Sequence, residues 1–335
     1  MRLLALAVLA MGILGASEVH ASLDCLQASG PLAMITGDQG YKRFRETART
    51  ARDRTRYNAG DASWLLQVYP RPQRQAYPVM INGPDGGCWA GGRIVGTNDR
   101  ELTWAKIYHK GGNSAALSLG NDASTTNFAV AGLRIHNAWD GVRIGKHGAG
   151  FVIRNVWITY NRDDCVENDH KKPGLISNSL FDGCFMGFSS RNPKSSYNGS
   201  RNVWTIEKTL VRLQPMPGPY KEGKVAHGFF FKWEKAGPKL RLIDNIFYVQ
   251  QGATENLKTD PFEDLARNPG VLRESRGNVI VWAGAGAYRW PVPKGFTVTE
   301  DEGIWDNAKA RWCAEHSVMA FDASGSPCGS AAGAS

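Results

Sequence analysis

The chain has 335 residues, and its 40 Lys and Arg residues outnumber 31 Asp and Glu residues, for a net charge of +9 at pH 7. Beyond residue 21 no apolar run approaches the roughly 18 residues that a membrane-spanning helix needs. No Cys-x-x-Cys spacing indicates a zinc site, and no feature indicates a nucleotide site.

Residues 1–21 are predicted to be a secretory signal peptide. Met1-Arg2 is a charged start, residues 3–14 form a short apolar run, and Val19-His20-Ala21 supplies a small-residue cleavage site. We therefore expect a secreted protein, extracellular or periplasmic. The excess of basic residues then either favours acidic polysaccharides and anionic cell surfaces, rather than nucleic acid, or only aids solubility.

Residues 22–76 are predicted to form an N-terminal segment with a capping helix. Four apolar residues recur at three-to-four spacing within a basic run: Tyr41, Phe44, Ala48 and Ala51. The helix would cover the open end of a core, or would lie on a membrane surface or a glycan. Strands are predicted next, with Gly, Asn and Asp between them: Tyr77–Asn82, Gly92–Gly96, Thr103–His109 and Ala115–Leu119.

The stretch that follows repeats one pattern four times. Four similar rows succeed one another: Trp139–Ile144, Asp163–Asn168, Asp182–Gly187 and Ala226–Phe231. Short apolar runs with an Asn precede the first three rows, and Asn137, Asn155 and Asn178 are interpreted as turn or ladder residues. Repetition at this spacing, in short strands without helices, predicts an all-β chain folded as a right-handed parallel β-helix solenoid. Residues 77–285 are assigned to it.

The chain ends in a predicted C-terminal cap and a tail. Residues 286–323 are assigned to the cap, with a helix at Ile304–His316, and residues 324–335 to a flexible tail. No linker interrupts the chain, so we expect one domain and a monomer.

Six cysteines remain after export, and an even number fits disulfides. Cys165 and Cys184 follow turn residues in consecutive rows, so they form either a disulfide or a reduced apolar pair. Cys313 with Cys328 would close the C-terminal segment, which leaves Cys25 with Cys88.

Alternation along the strands predicts which side chains of the rows face solvent. A corner column gathers Asp140, Asp163, Asp164 and His227. The strands beyond it are predicted to turn the following residues outward: Arg143, Glu167, Asp169, Phe188, Phe230 and Lys232. Phe188 and Phe230 either stack on sugar rings or pack beneath the longer loops, and Arg191 adds another cation.

Two rows resemble those of the pectate-lyase and polygalacturonase superfamily of right-handed parallel β-helix proteins that act on carbohydrates. Trp139-Asp140-Gly141 and Asp163-Asp164-Cys165-Val166 match, in order and register, the Asn-Thr-Asp-Gly and Asp-Asp-Cys rows of polygalacturonase-type hydrolases. The resemblance covers about residues 77–285. It implies Asp140, Asp163 and Asp164 as the acid/base set of an inverting hydrolase, with His227 and Lys232 as helpers. The next row has Gly183 where the family has His.

The lyase branch of the same superfamily fits the basic charge better and is slightly favoured. Such enzymes abstract a proton beside a uronate carboxylate, with a Lys or Arg base and often with Ca²⁺. Asp164, Glu167 and Asp169, with Asp140, would ligate Ca²⁺. Arg143, Arg191, Phe188 and Phe230 are the substrate-binding candidates.

A third hypothesis needs no catalysis. Asp before Gly at a strand corner commonly caps the turn by accepting backbone hydrogen bonds. The chain would then be a glycan-binding or adhesin-like β-helix, and the acidic corner would be structural.

Overall fold

A computed structural model describes residues 25–69, 76–111, 113–192, 197–218, 223, 225–250, 260–284 and 286–328. The predicted signal peptide lies outside the described residues, as does the tail beyond residue 328.

Most of the regular structure consists of short strands. The strands of the first half are β1 Leu32–Met34, β2 Phe44–Arg45, β3 Arg56–Asn58, β4 Ser63–Leu66, β5 Val79–Ile81, β6 Cys88–Ala90, β7 Arg93–Gly96, β8 Ala115–Leu119, β9 Thr125–Thr126, β10 Ala129–Ala131, β11 Arg134–His136, β12 Asp140–Ile144, β13 Gly148–Ala149 and β14 Phe151–Arg154. Those of the second half are β15 Trp157–Glu167, β16 Gly174–Ser177, β17 Leu180–Ser190, β18 Val203–Glu207, β19 Leu210–Leu213, β20 Met216–Pro217, β21 Val225–Ala226, β22 Phe231–Trp233, β23 Lys239–Ile243, β24 Ile246–Val249, β25 Leu272–Arg276, β26 Asn278–Trp282 and β27 Phe296–Thr299.

Helices are few in the described part of the chain. The α-helices include α1 Trp104–Gly111, α2 Glu263–Arg267 and α3 Gly303–Glu315, and 3₁₀ turns occur at Pro269–Val271 and Ser317–Met319. Residues 25–27 are also helical. None of the helices described is long and apolar enough to cross a membrane.

The strands form two long parallel sheets, as the sequence predicts. One sheet has nine strands in the order β1-β3-β6-β10-β14-β16-β18-β23-β25. The other has fourteen, with the main path β2-β5-β8-β12-β15-β17-β19-β24-β26-β27. Successive strands along the chain pass between the two sheets, and a single large apolar cluster draws residues from both. The protein is therefore mostly β, with the parallel pairing that a β-solenoid requires.

Asparagines make the bends between many of these strands. Asn137, Asn155 and Asn178 have left-handed φ values of 53°, 52° and 45°. Asn tolerates this region better than most residues because its side chain bonds to nearby backbone. The interpretation of these residues as turn residues is confirmed.

Four corner segments of the fourteen-stranded sheet share one arrangement, in which two inward residues stand between two outward ones. The corner segments are Asp140–Arg143, Asp164–Glu167, Met186–Ser189 and Phe229–Lys232. In the second, Cys165 and Val166 both lie in the core, and in the fourth, Phe230 and Phe231 do. A bend between the two inward residues explains the break in alternation. Residues three positions apart therefore face the same side.

The predicted register is right for the first two rows and wrong for the others. Val142 pairs with Val166, as expected. Val166, however, pairs with Phe188, three residues beyond the predicted Phe185. Phe188 pairs with Phe231, two residues beyond the predicted Phe229. The pairing of β15 with β17 also shifts, between Asn161 and Asp164.

Three predictions about helices and ends need correction or refinement. The run at Tyr41–Arg56 contains turns and the short strands β2 and β3 instead of a capping helix. Thr103–His109 lies largely in helix α1 rather than in a strand. The C-terminal helix is confirmed as α3, but it packs against outward side chains of five strands along the flank of the large sheet: Trp157, Leu180, Leu210, Tyr248 and Val281.

All six cysteines are paired. Cys25 bonds to Cys88, Cys165 to Cys184 and Cys313 to Cys328, with Cα separations of 6.0, 5.9 and 5.6 Å. The first and last pairings are confirmed, and Cys165 with Cys184 forms the disulfide rather than the reduced pair. This pattern is compatible with the oxidising compartment of a secreted protein.

The bend in the first corner segment leaves no room for a side chain at Gly141. A Cβ there would lie 2.5 Å from the Cys165 carbonyl oxygen and 2.7 Å from Ile158 Cδ1. We predict that Gly141→Ala lowers the free energy of unfolding by about 1–3 kcal/mol, the usual cost of overpacking. Urea denaturation measures this. Gly270→Ala is the control because its Cβ meets nothing within 4 Å; equal stability of both variants would contradict the proposed corner packing.

Candidate active site

The outward residues of the corner segments bring acidic and basic side chains onto one face of the large sheet. Arg143 pairs in register with Glu167, Glu167 with Ser189, and Ser189 with Lys232. Adjacent rows of a sheet lie about 4.8 Å apart. Side chains in this column are therefore forced into contact, and their charges must be compensated locally.

Arg143 is the centre of one ion-pair network. Its guanidinium bonds to the buried Asp140 carboxylate and to Glu167, with 3.0 Å from Nε to Oε1 and from Nη2 to Oε2. It also donates to the Tyr77 hydroxyl and to Asn113 Oδ1. Arg143 itself is only 7% exposed. The network therefore holds Arg143 in place rather than presenting it to solvent.

Lys232 forms the second network. Its Nζ lies 3.0 Å from Asp164 Oδ2, across the intervening row. Ser189 occupies that row, and its small side chain leaves the path open. Asp164 is fully buried, and its Oδ1 has no hydrogen-bond partner among the described residues. One oxygen of Asp164 is thus fixed by Lys232, and the other is buried without a partner among the described residues.

Five carboxyl groups make up what we call the carboxyl cluster: Asp140, Asp163, Asp164, Glu167 and Asp169. Burial and the neighbouring Asp164 charge raise the pKa of Asp163 to about 8. Trp104 on helix α1 donates a hydrogen bond to Asp163. Burial and the charge of Glu167 raise the pKa of Asp169 to about 7, although Ser189 Oγ donates to it at 2.8 Å. Asp163 is therefore mostly protonated at neutral pH.

The pKa shifts of the other three members of the carboxyl cluster differ in direction: two are raised and one is lowered. Burial, and then the charge of Glu167, raise the pKa of Asp140 well above its usual range. Burial raises the pKa of Asp164 as well, although Lys232 opposes it. Burial also acts to raise the pKa of Glu167, but Arg143 outweighs it and the pKa falls. Asp140 and Glu167 share a hydrogen bond, which requires a proton on one of them.

Lys232 does not have the properties of a general base. Burial acts to lower its pKa, but the charges of Asp164 and Asp163 outweigh burial and raise the pKa well above the usual value. The pKa of Arg143 is raised in the same way by Glu167 and Asp140, against the effect of burial. Both side chains therefore stay cationic.

The predicted calcium ligands are only partly brought together. Oxygens of Asp140, Asp164 and Glu167 lie within 4.8 Å of one another, whereas Asp169 lies outside this group. Ca²⁺ takes six to eight oxygen ligands. Here one nitrogen, Arg143 Nη2, already bonds to both Asp140 and Glu167. The residues present therefore fit a guanidinium better than Ca²⁺.

The expectation that two aromatic residues face outward is wrong. Phe188 and Phe230 are fully buried in the main core, where no sugar can reach them. Phe188 takes the place opposite Val166 because of the register shift. Phe230 is the first of two consecutive inward residues, which simple alternation does not predict.

His227 and Arg191, the two remaining candidate site residues, make their described contacts with residues outside the carboxyl cluster. His227 Nδ1 lies 2.8 Å from the carbonyl oxygen of Gly228, and burial lowers the pKa of His227. Arg191 pairs with Asp264 at 3.1 Å and so attaches helix α2 to the end of β17. Neither residue contacts the carboxyl cluster in the described interactions.

Helix α1 contributes aromatic residues that the sequence analysis missed. Trp104 and Tyr108 stack at a centroid distance of 4.8 Å, and both lie against Trp139, next to Asp140. Tyr108 is 40% exposed. The four-residue spacing of Trp104 and Tyr108 is a helical signal, which the prediction of a strand at Thr103–His109 does not use.

The raised pKa values of Asp163 and Asp169 predict that stability falls as pH rises. Both carboxyls have an unfolded pKa of about 3.9, so the folded state binds more protons up to about pH 8. Their favourable contribution is complete below about pH 4 and is lost as pH rises through about 7 to 8. The Asp163→Asn/Asp169→Asn variant should have a flatter slope, by up to about 1.4 kcal/mol per pH unit for each proton.

Urea denaturation between about pH 5 and about pH 9 measures these slopes. The exposed Asp306→Asn is the control and should keep the wild-type slope. Parallel slopes for the double variant and the wild type would contradict the protonation states assigned to Asp163 and Asp169.

No protein-family model matches the chain, and no curated protein or solved structure matches it significantly. The chemistry of the carboxyl cluster therefore rests on the residues and geometry of this chain.

Proposed function

We propose that the protein is a secreted enzyme that hydrolyses glycosidic bonds in an acidic polysaccharide. The observation that carries the proposal is the carboxyl cluster, where the pKa of Asp163 is raised to about 8 while that of the neighbouring Glu167 is lowered. Two titratable groups whose pKa values are pushed apart are what acid–base catalysis requires.

The proposed fold is a right-handed parallel β-helix of the pectate-lyase and polygalacturonase superfamily. Parallel pairing throughout both long sheets, and strands that pass alternately between them, support a solenoid. Connections between parallel strands of one sheet are right-handed in nearly all proteins. Asp140, Asp163 and Asp164 then occupy the positions that the family resemblance implies.

Asp163 is the proposed general acid. Its pKa of about 8 keeps the proton in place at neutral pH, and the indole of Trp104 fixes its carboxyl group. A leaving-group oxygen would take this proton as the glycosidic bond breaks.

Asp164 is the proposed base that orients the attacking water. Lys232 binds one of its oxygens and favours the ionised form against the effect of burial. The buried Oδ1, which has no partner among the described residues, is the atom that would accept a hydrogen bond from the attacking water. Asp140 contributes by accepting from the Asp164 backbone N–H at 3.3 Å. Lys232 and Arg143 are thus positioning residues, and they also offset the charge of the cluster.

Hydrolysis is favoured over the elimination that the basic composition suggested. A lysine base needs a lowered pKa, whereas Lys232 has a raised one. Arg143 is held by two carboxylates and is also an unsuitable base. The carboxyl groups, in contrast, include Asp163 with a raised pKa and Glu167 with a lowered one.

The exposed ring of Tyr108 supports a sugar as the substrate. An aromatic face beside a carboxyl pair provides an apolar surface for the C–H face of a pyranose ring, and Tyr carries it at low entropic cost. The positive net charge favours a polyanionic chain over a neutral one.

The proposal predicts that Asp163→Asn lowers the rate of reducing-end formation from uronate polysaccharides by about 10²–10⁴-fold. The wild-type rate should fall as pH rises through about 8, because Asp163 then loses its proton. The variant should lack this decline. Reducing-end assays on the mature protein, with and without chelator, measure both effects, and Asp306→Asn is the matched control.

Three outcomes would contradict the hydrolase. Products with an unsaturated ring, detected by ultraviolet absorbance, indicate elimination. Activity abolished by chelator and restored by Ca²⁺ indicates a metal at the carboxyl cluster. Binding without any cleavage, with loss of thermal stability in Asp163→Asn, favours the non-catalytic glycan-binding protein.

A further inference from the structure

A groove separate from the carboxyl cluster lies beyond the strand that carries Lys232. It has a volume of about 600 Å³, within the range of pockets that enclose small ligands. Three loops form it: the residues near Asn198 and Ser200, the turn between β22 and β23, and the segment from Arg267 to Val271. None of these residues belongs to the carboxyl cluster.

The described lining of this groove contains three cations and no carboxylate. The cations are Lys235, Lys239 and Arg267. Lys239 Nζ donates to the Gly270 carbonyl at 2.6 Å, which fixes the ammonium at the wall and leaves two of its three donors for a ligand. Arg267 pairs with Glu263 on the same helix, a solvent-exposed contact that contributes little.

Carboxylates near the groove are already bound to other cations. Glu234 pairs with the buried Lys171 at 2.6 Å. Asp264 pairs with Arg191 and also accepts from the Trp233 backbone N–H at 2.7 Å. These bonds attach both walls of the groove to the rows that carry the carboxyl cluster. They also leave the charges of Lys235 and Lys239 without a carboxylate among the described contacts.

We propose that this groove binds an anionic group, carboxylate or sulfate ester, on a sugar residue of a polysaccharide. Ala236, Pro269 and Val271 supply apolar lining, and the cations supply charge-assisted donors. The inference rests on the proposed function only in taking the ligand to be the acidic glycan of that reaction. The groove then acts as a subsite that holds the chain on the same rigid unit as the carboxyl cluster.

Binding to the full-length mature protein tests the groove separately from catalysis. Calorimetry with hexagalacturonate, with sulfated dextran fragments and with the neutral maltohexaose would be compared for the wild type and for Lys235→Ala/Arg267→Ala. Both side chains are exposed, so the variant should fold normally. The control Lys42→Ala/Lys294→Ala removes the same charge from exposed sites elsewhere.

The expected result is a roughly tenfold weaker Kd for an anionic sugar in the groove variant, a change below twofold in the control, and no binding of maltohexaose. Tighter binding of hexagalacturonate or of sulfated dextran identifies the anionic group. If the groove variant binds an anionic sugar more weakly but the wild type cleaves no bond, the proposal for the groove is supported and the proposed hydrolase activity is refuted. Cleavage with equal Kd and KM in wild type and groove variant would overturn the groove and leave the hydrolase standing. Equal weakening in the control, or no anionic sugar bound, would also overturn it.

Discussion

Parallel, in-register pairing of the corner segments is the constraint on which the rest of this molecule depends. Each corner turns two consecutive residues into the core and the two flanking residues outward. Pairing at the spacing of a β-sheet then stacks the flanking residues of successive rows directly above one another. Arg143 on Glu167, and Asp140 beside Asp164, are consequences of this stacking. The same geometry supplies a hydrophobic core on one side and a dense charged column on the other.

The charged column contains more carboxyl groups than cations, and this excess allows some of the carboxyl groups to hold protons. Five carboxyl groups share the cations of Arg143 and Lys232, so protonation must make up much of the remaining charge. Burial and neighbouring charge together decide where the protons reside, because both penalise the ionised form. Asp163 and Asp169 hold protons near neutral pH, while Glu167 stays ionised against Arg143. A purely structural corner would be better served by uncharged turn residues.

Rigid attachments link the charged column to more distant surfaces. Helix α1 reaches the column through Trp104, helix α2 is attached through Asp264, and the loop after β22 through Glu234. The Cys165–Cys184 disulfide joins the two longest strands behind the same face. The aromatic pair on α1 and the basic groove beyond β22 are therefore held at fixed positions relative to the carboxyl cluster.

The amino-acid sequence by itself determined the fold class and the acidic corner. Repeated apolar rows predict parallel sheets because such rows bury their inward side only by stacking. The alignment of these rows in the sequence also brings Asp140, Asp163 and Asp164 to one corner without any knowledge of the contacts. The tertiary structure alone decided the rest. The pairing of β15 with β17 in a register other than the predicted one placed Phe188 in the core. Two consecutive inward residues at the corner placed Phe230 there, because local alternation does not contain information about bends. Burial and neighbouring charge, which depend on distant rows, decided that Lys232 stays protonated and that Asp163 holds its proton.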